Sequence, residues 1–142
     1  MTLPKLIAAL EAAEGSSREF DHEIARAFGY EIKTNQIPAY NSPRKDGPTV
    51  TFMIKDGMRY VIPNYTASLD AALTLMPKGV AYGLHGNFYD GRHSAILSSQ
   101  HLHPLLPDRI SGQGVTPALA MCVAALKARA AAAPAAPPPR SE

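Results

Sequence analysis

The sequence predicts an α+β fold: a small α/β/α layered sandwich whose antiparallel sheet is built from two hairpins and carries about four helices. Three observations predict it. Asp56-Gly57 and Asp90-Gly91 each divide two runs of strand-forming residues, and Asp-Gly suits the positive φ that a two-residue hairpin turn needs. Pro63 to Pro77 reads as a strand end, a capped helix and a stop. Further apolar stripes at helical spacing flank the hairpins, and helices set beside an antiparallel sheet define the α+β class.

Taken in order, Thr2 to Ala13 is expected to be a helix, with Thr2 as cap, Pro4 in the first turn, and Leu3, Leu6, Ile7 and Leu10 on one stripe. Ser16-Ser17-Arg18-Glu19 reads as a capping box, with Ser16 and Glu19 satisfying each other's backbone amides. The second helix runs to Phe28 with Phe20, Ile24 and Phe28 inward, Asp21, His22, Glu23 and Arg26 toward water, and Gly29 as a left-handed stop. Tyr30 to Ile32 is a short strand. Thr34 to Pro48, broken by Pro38, Pro43, Gly47 and Pro48, is a loop.

In the first hairpin, Thr49 to Ile62, Lys55 opposes Met58, Ile54 opposes Arg59, Met53 opposes Tyr60 and Phe52 opposes Val61. Both faces are then largely apolar, which predicts cover on both sides. Thr66 is the expected cap of the central helix, Asp70 complements its dipole, and Leu69, Ala72, Leu73 and Met76 form its buried face. The second hairpin, Val80 to Ser98, pairs Tyr89 with Arg92. Tyr82, Leu84, Phe88, Ala95 and Leu97 then share one face, and His85, Asn87, Tyr89, Arg92, Ser94 and Ile96 a mostly polar one. Gln100 to Gly114 reads as an irregular connection. Thr116-Pro117 starts the last helix with Leu119, Cys122, Val123 and Leu126 inward. Residues 1–130 form a single α+β domain, and the Ala/Pro-rich residues 131–142 form a disordered tail.

Composition narrows the function classes. With 142 residues, 46% apolar and 18% charged, the chain suits one globular domain with a sizeable core. A net charge of +2 with scattered basic residues gives no footprint for nucleic acid. One cysteine cannot close an internal disulfide. The chain start lacks the pattern of a secretory signal, and no window approaches the ~20 apolar residues of a membrane span. The expectation is a cytoplasmic protein with no membrane partner.

No strong catalytic motif occurs. There is no Gly-x-Ser-x-Gly elbow and no phosphate loop. Four of the five histidines, His85, His93, His101 and His103, fall in one stretch near Asp90. They raise the question of a transition-metal site, but their spacing matches no standard one. Cys122 sits at helical spacing with Leu119 and Leu126, as a buried thiol would. The expected protein is therefore not an enzyme and carries no cofactor. What the sequence offers instead is a binding inventory. Asn64, Tyr65 and Thr66 stand at a helix start, and Tyr82, His85, Asn87, Tyr89 and Arg92 lie on the second hairpin. Aromatic, amide, hydroxyl and cationic groups of this kind suit a small anionic, nucleotide-like ligand.

Three segments carry a resemblance. They are Gly15-Ser16-Ser17-Arg18-Glu19-Phe20-Asp21, Tyr65-Thr66-Ala67-Ser68-Leu69-Asp70-Ala71-Ala72-Leu73, and Thr116-Pro117-Ala118-Leu119-Ala120 through Ala124-Ala125-Leu126. They resemble an uncharacterised family of small proteins from alphaproteobacterial genomes and their bacteriophages, similar to the phage ABA sandwich domain. The resemblance covers about half the chain and rests on caps and helix faces. It implies an α/β/α layered fold, a phage or prophage accessory gene and a location in the host cell cytoplasm. Thr34 to Pro48 and the histidine-rich stretch depart from the family pattern. With the binding inventory, the resemblance leads to a non-enzymatic homo-oligomer that binds a small anionic ligand and sequesters a host immune signal. A protein–protein interaction module acting on a host or phage protein is the alternative, and a small metal-dependent enzyme the second.

Overall fold

The computed structural model describes residues 2–36, 49–77, 80–86, 90–98 and 109–132. The elements are α1 (Leu3–Ala12), α2 (Arg18–Ala27), β1 (Glu31–Gln36), β2 (Thr49–Lys55), β3 (Met58–Val61), α3 (Leu69–Leu73), β4 (Ala81–Gly86), β5 (His93–Ser98), β6 (Arg109–Gly114) and α4 (Pro117–Ala132). The class is α+β, with four helices among the described residues. The two hairpins lie in separate antiparallel sheets, ordered β1-β2-β3 and β4-β5-β6.

Helix α4 is the axis of the fold. It is apolar on all sides, and every side chain from Ala118 to Leu126 is buried, as expected of a helix that has no solvent face. β5 and β6 cover one side of it, and α1 and α3 pack on others. Its start is as predicted: Pro117 is the first residue, and the Thr116 hydroxyl accepts from Leu119 N–H at 3.1 Å. Its end overruns the expected tail boundary, because Ala131 and Ala132 continue the helix. Residues 133–142 lie outside the described residues.

β6 was expected to be irregular because Ser111-Gly112-Gln113-Gly114 reads as a breaker. It is a strand, with Ile110, Gly112 and Gly114 buried and the residues between them exposed. The glycines serve packing. A Cβ on Gly112 would sit 2.4 Å from Ala124 N, and one on Gly114 2.8 Å from Ala120 N. Close approach of a strand backbone to a helix backbone requires a residue with no side chain.

The first hairpin forms in the predicted register, with Asp56 at φ 53° and Gly57 at φ 78°. The strand after α2 is longer than expected: β1 reaches Gln36 and pairs with β2, and Thr34 Oγ1 meets Thr51 Oγ1 at 2.9 Å across the pair. Glu-Ile-Lys-Thr-Asn-Gln is weak strand sequence, so pairing with β2 decides it. Cover on both faces holds at β2, where Phe52 and Met53 are both buried. It fails at β3, whose four residues are all exposed. The remainder of the Thr34–Pro48 loop, residues 37–48, lies outside the described residues.

The second hairpin differs from the expectation. Gly86 pairs with His93 and Leu84 with Ala95, a slip of two residues from the Tyr89–Arg92 pairing. A two-residue slip keeps every side chain on its predicted face. Asp90 is not in the left-handed region, although Gly91 is, at φ 68°. Instead Asp90 Oδ1 accepts from Arg92 N–H at 2.9 Å, which opens a wider connection in place of the tight turn.

Two caps also move. Ser17, not Ser16, caps α2, accepting from Phe20 N–H at 3.4 Å. Glu19 is then one residue early for the capping box, which needs its carboxylate at the third helical position. Ser68, not Thr66, caps α3, accepting from Ala71 N–H at 3.3 Å.

Candidate functional site

Helix α2 has a strong apolar stripe, and Ile24 and Ala25 lie in the core as its spacing demands. Asp21 lies with them. It was expected to face water, yet it is only 1% exposed. A carboxylate is buried only where hydrogen bonds replace its water, and those bonds come from the chain ahead of α3. Asp21 Oδ1 accepts from the Thr66 N–H and the Thr66 hydroxyl, both at 2.8 Å. Thr66 Oγ1 in turn accepts from Ser17 N–H at 2.9 Å. Asp21 Oδ2 accepts from Arg18 Nη1 at 2.9 Å.

The Arg18 guanidinium extends the clasp. Its Nη1 also donates to Asn64 Oδ1 at 2.6 Å, and its Nη2 to the Ile62 carbonyl at 2.9 Å. Residues 62–66 are thus bound to the first turn of α2 by one arginine, one aspartate and one threonine. Thr66 is excluded from capping α3 because its hydroxyl is already committed here.

Tyr65 points the other way, into the core, and is 2% exposed. Burial pushes its phenol from the usual 10.0 up to about 12, with smaller contributions from Tyr30, Cys122 and Asp21. Its carbonyl accepts from the Cys122 thiol at 3.2 Å. Burial, and secondarily Asp21, also push the thiol upward, so Cys122 is a packed and protonated group. On the outer side of α2, His22 titrates below its usual value of 6.5, mainly through desolvation and then through Arg18 and Arg26.

The remaining candidates lie elsewhere. Tyr82 and His85 are exposed on β4, on opposite faces of the sheet. His85 shares its open face with Ser94 and Gln113, which stand beside it across β5 and β6. Arg92 does not join them: its guanidinium donates to the Glu11 carbonyl at 2.8 Å, satisfying the end of α1. Arg129 does the same for α2, donating to the Ala27 carbonyl at 2.7 Å with its guanidinium over the Phe28 ring. Asn87, Tyr89, His101 and His103 lie outside the described residues. Among the described residues no three metal-ligating side chains gather; Asn64, Tyr65 and Thr66 bond to Arg18, Cys122 and Asp21, whereas Arg92 bonds to Glu11.

Two further surface features bear on function. A cleft of about 260 Å³ is lined by Ser16, Thr66, Ala67, Leu69, Thr116 and Pro117, among others. It lies where the starts of α2 and α4 meet the turn before α3. The second feature is β3, with Met58, Tyr60 and Val61 exposed by 61%, 43% and 83%. These are three of the four large apolar side chains exposed among the described residues; the fourth is Tyr82. Sequence reasoning missed this edge because apolar residues on both faces of a hairpin read as cover on both faces.

Comparison with protein-family models, with curated proteins and with solved structures finds no match to this chain. Among the described residues no helix is long and apolar enough to cross a membrane.

Proposed function

We propose that this chain is a non-enzymatic interaction module that engages a protein through the edge of β3, which no strand covers among the described residues. The observation that carries the reading is the exposure of Met58, Tyr60 and Val61 on an edge strand. An exposed apolar edge with unpaired backbone groups is a template for a further strand. Natural edges are usually blunted by charge, and β1 is: Glu31 and Lys33 are exposed there and form an ion pair at 3.6 Å. β3 has one charge, Arg59, which lies over its own Phe52 ring at 4.9 Å. The resemblance to phage-type proteins gives the setting: an accessory protein that inhibits or assists a host or phage protein.

The test is a photo-crosslinking residue in place of Tyr60, expressed in a bacterial host. A specific covalent adduct, lost when Val61→Glu is added, supports the reading. No adduct at position 60, with adducts forming from a control position on β4, overturns it.

A second reading, the small anionic ligand, is favoured by the cleft. Ser16 and Thr116 line it beside two helix starts, and helix starts favour anions. Nucleoside monophosphates titrated against the labelled protein should shift the Arg18 and Ala118 amides. Unmoved amides at millimolar ligand would remove this reading.

A further inference from the structure

We infer that Met58 is a reversible oxidation site, where a peroxide converts the thioether to its sulfoxide with the Tyr60 hydroxyl screening one side of the sulfur. The chemistry belongs to the isolated chain. Its consequence, a switch of the β3 surface from apolar to polar, rests on the interaction reading above and adds a control over that same surface.

Position selects this methionine. Met121 and Met53 lie in the core, at 0% and 8% exposed, and Met76 is half-buried against it. Met58 is 61% exposed. It leaves the Asp56-Gly57 turn opposite Lys55, which is exposed as well. A thioether needs no ionisation to react, so access to the oxidant decides which methionine is attacked. Cys122, the other type of sulfur that a peroxide attacks, is buried.

The step balances with hydrogen peroxide as the oxidant. The Met58 sulfur attacks one peroxide oxygen and the O–O bond breaks. That oxygen stays on sulfur as the sulfoxide, and the other leaves as water after a proton shift. Sulfur is oxidised and the peroxide is reduced.

Tyr60 gives the site a handedness. Met58 and Tyr60 alternate along β3 and share one face, and the Tyr60 hydroxyl donates to Met58 Sδ at 4.0 Å. The bond is weak, because a thioether is a weak acceptor. It nevertheless engages one of the two lone pairs of the sulfur, so oxygen adds preferentially to the other. One sulfoxide epimer then forms in excess. The new oxygen is a strong acceptor that holds water, and it breaks the apolar surface that Met58 shares with Tyr60 and Val61.

The first test needs no partner. Trypsin cuts after Lys55 and Arg59, which isolates Met58 from the other methionines. After treatment with hydrogen peroxide, one added oxygen should appear on the Met58 peptide about tenfold or more faster than on those of Met53 and Met121. Methionine sulfoxide reductases A and B each reduce one epimer. One of them should restore most of the oxidised Met58, and Tyr60→Phe should make the two share it evenly. Oxidation that begins at Met53, Met76 or Met121 overturns the site. Equal epimers in the natural chain overturn the part given to Tyr60.

The second test addresses the switch. The chain with a photo-crosslinker at position 60, oxidised beforehand and added to host lysate, should lose the adduct that the unoxidised chain forms. Met58→Leu, apolar but without sulfur, should keep it after the same treatment. An adduct that survives oxidation of Met58 overturns the switch. If no adduct forms with or without peroxide, the interaction reading falls, and the peptide map still decides whether Met58 is the oxidation site.

Discussion

Asp21 shows how far one residue's role depends on what the fold brings to it. Its two oxygens satisfy two Thr66 donors and one Arg18 donor. Removing a buried acceptor of this kind leaves several donors unpaired, so Asp21→Ala should cost about 3 kcal/mol in urea unfolding. Arg18→Ala should cost less, because the guanidinium is half-exposed and water can take its place. Equal losses from the two variants would mean that the ion pair, and not the Thr66 contacts, holds the clasp. Tyr65 gives a prediction at alkaline pH. Its folded pKa, about 12, lies above the 10.0 of an exposed phenol. The unfolded chain therefore releases this proton first as pH rises. The stabilisation is complete below pH 10 and is lost toward pH 12, by roughly 2–3 kcal/mol. Tyrosinate absorbance that appears together with unfolding, and not before it, would confirm the order. A phenol that titrates near 10 in the folded protein would contradict it.

At the scale of elements, the decisive contact is β6 on α4. Gly112→Ala would drive a methyl carbon into the backbone of Ala124 and Ala120. Neither is a side chain that can swing aside, so the expected cost is about 3 kcal/mol or more, read as a fall in Tm. Gly15→Ala is the control: an added Cβ there meets nothing within 4 Å, and the melting point should barely change. The same comparison explains why β6 has no strand signature in the sequence. Ser-Gly-Gln-Gly lacks strand propensity, and its glycines are used for proximity to a helix that follows in the chain. The predicted hairpin at Asp56-Gly57 succeeded for the opposite reason, since its turn conformation is fixed by two adjacent residues. At Asp90-Gly91 the same dipeptide did not close a tight turn. There Arg92 is drawn to the end of α1, a contact 81 residues away in sequence.

The whole molecule divides into a tightly held part and a looser one. Helix α4, β5 and β6 are packed together with α1 and α3, whereas β1-β2-β3 reaches the helices mainly through β1 on α2. Local stability follows buried contact. Hydrogen exchange should therefore be slowest in α4 and β5, approaching the rate set by global unfolding, and faster by orders of magnitude in β3. Uniform exchange across both sheets would argue against the division.

The sequence by itself determined the α+β class, the first hairpin and its register, the stop of α2 at Gly29, the start of α4 at Thr116-Pro117, and the burial of Cys122. Each depends on periodicity or on a cap or turn a few residues long. Only the tertiary structure decided the rest. It placed the hairpins in separate sheets, lengthened β1 to Gln36 and made a strand of β6. It also buried Asp21 and assigned Asn64, Thr66 and Arg92 to clasps and helix ends. Hydrogen-bond partners 45 residues apart for Asp21 and Thr66, and 81 apart for Arg92 and Glu11, leave no local pattern. A polar residue looks equally suited to a ligand or to another part of its own chain until the chain has folded around it.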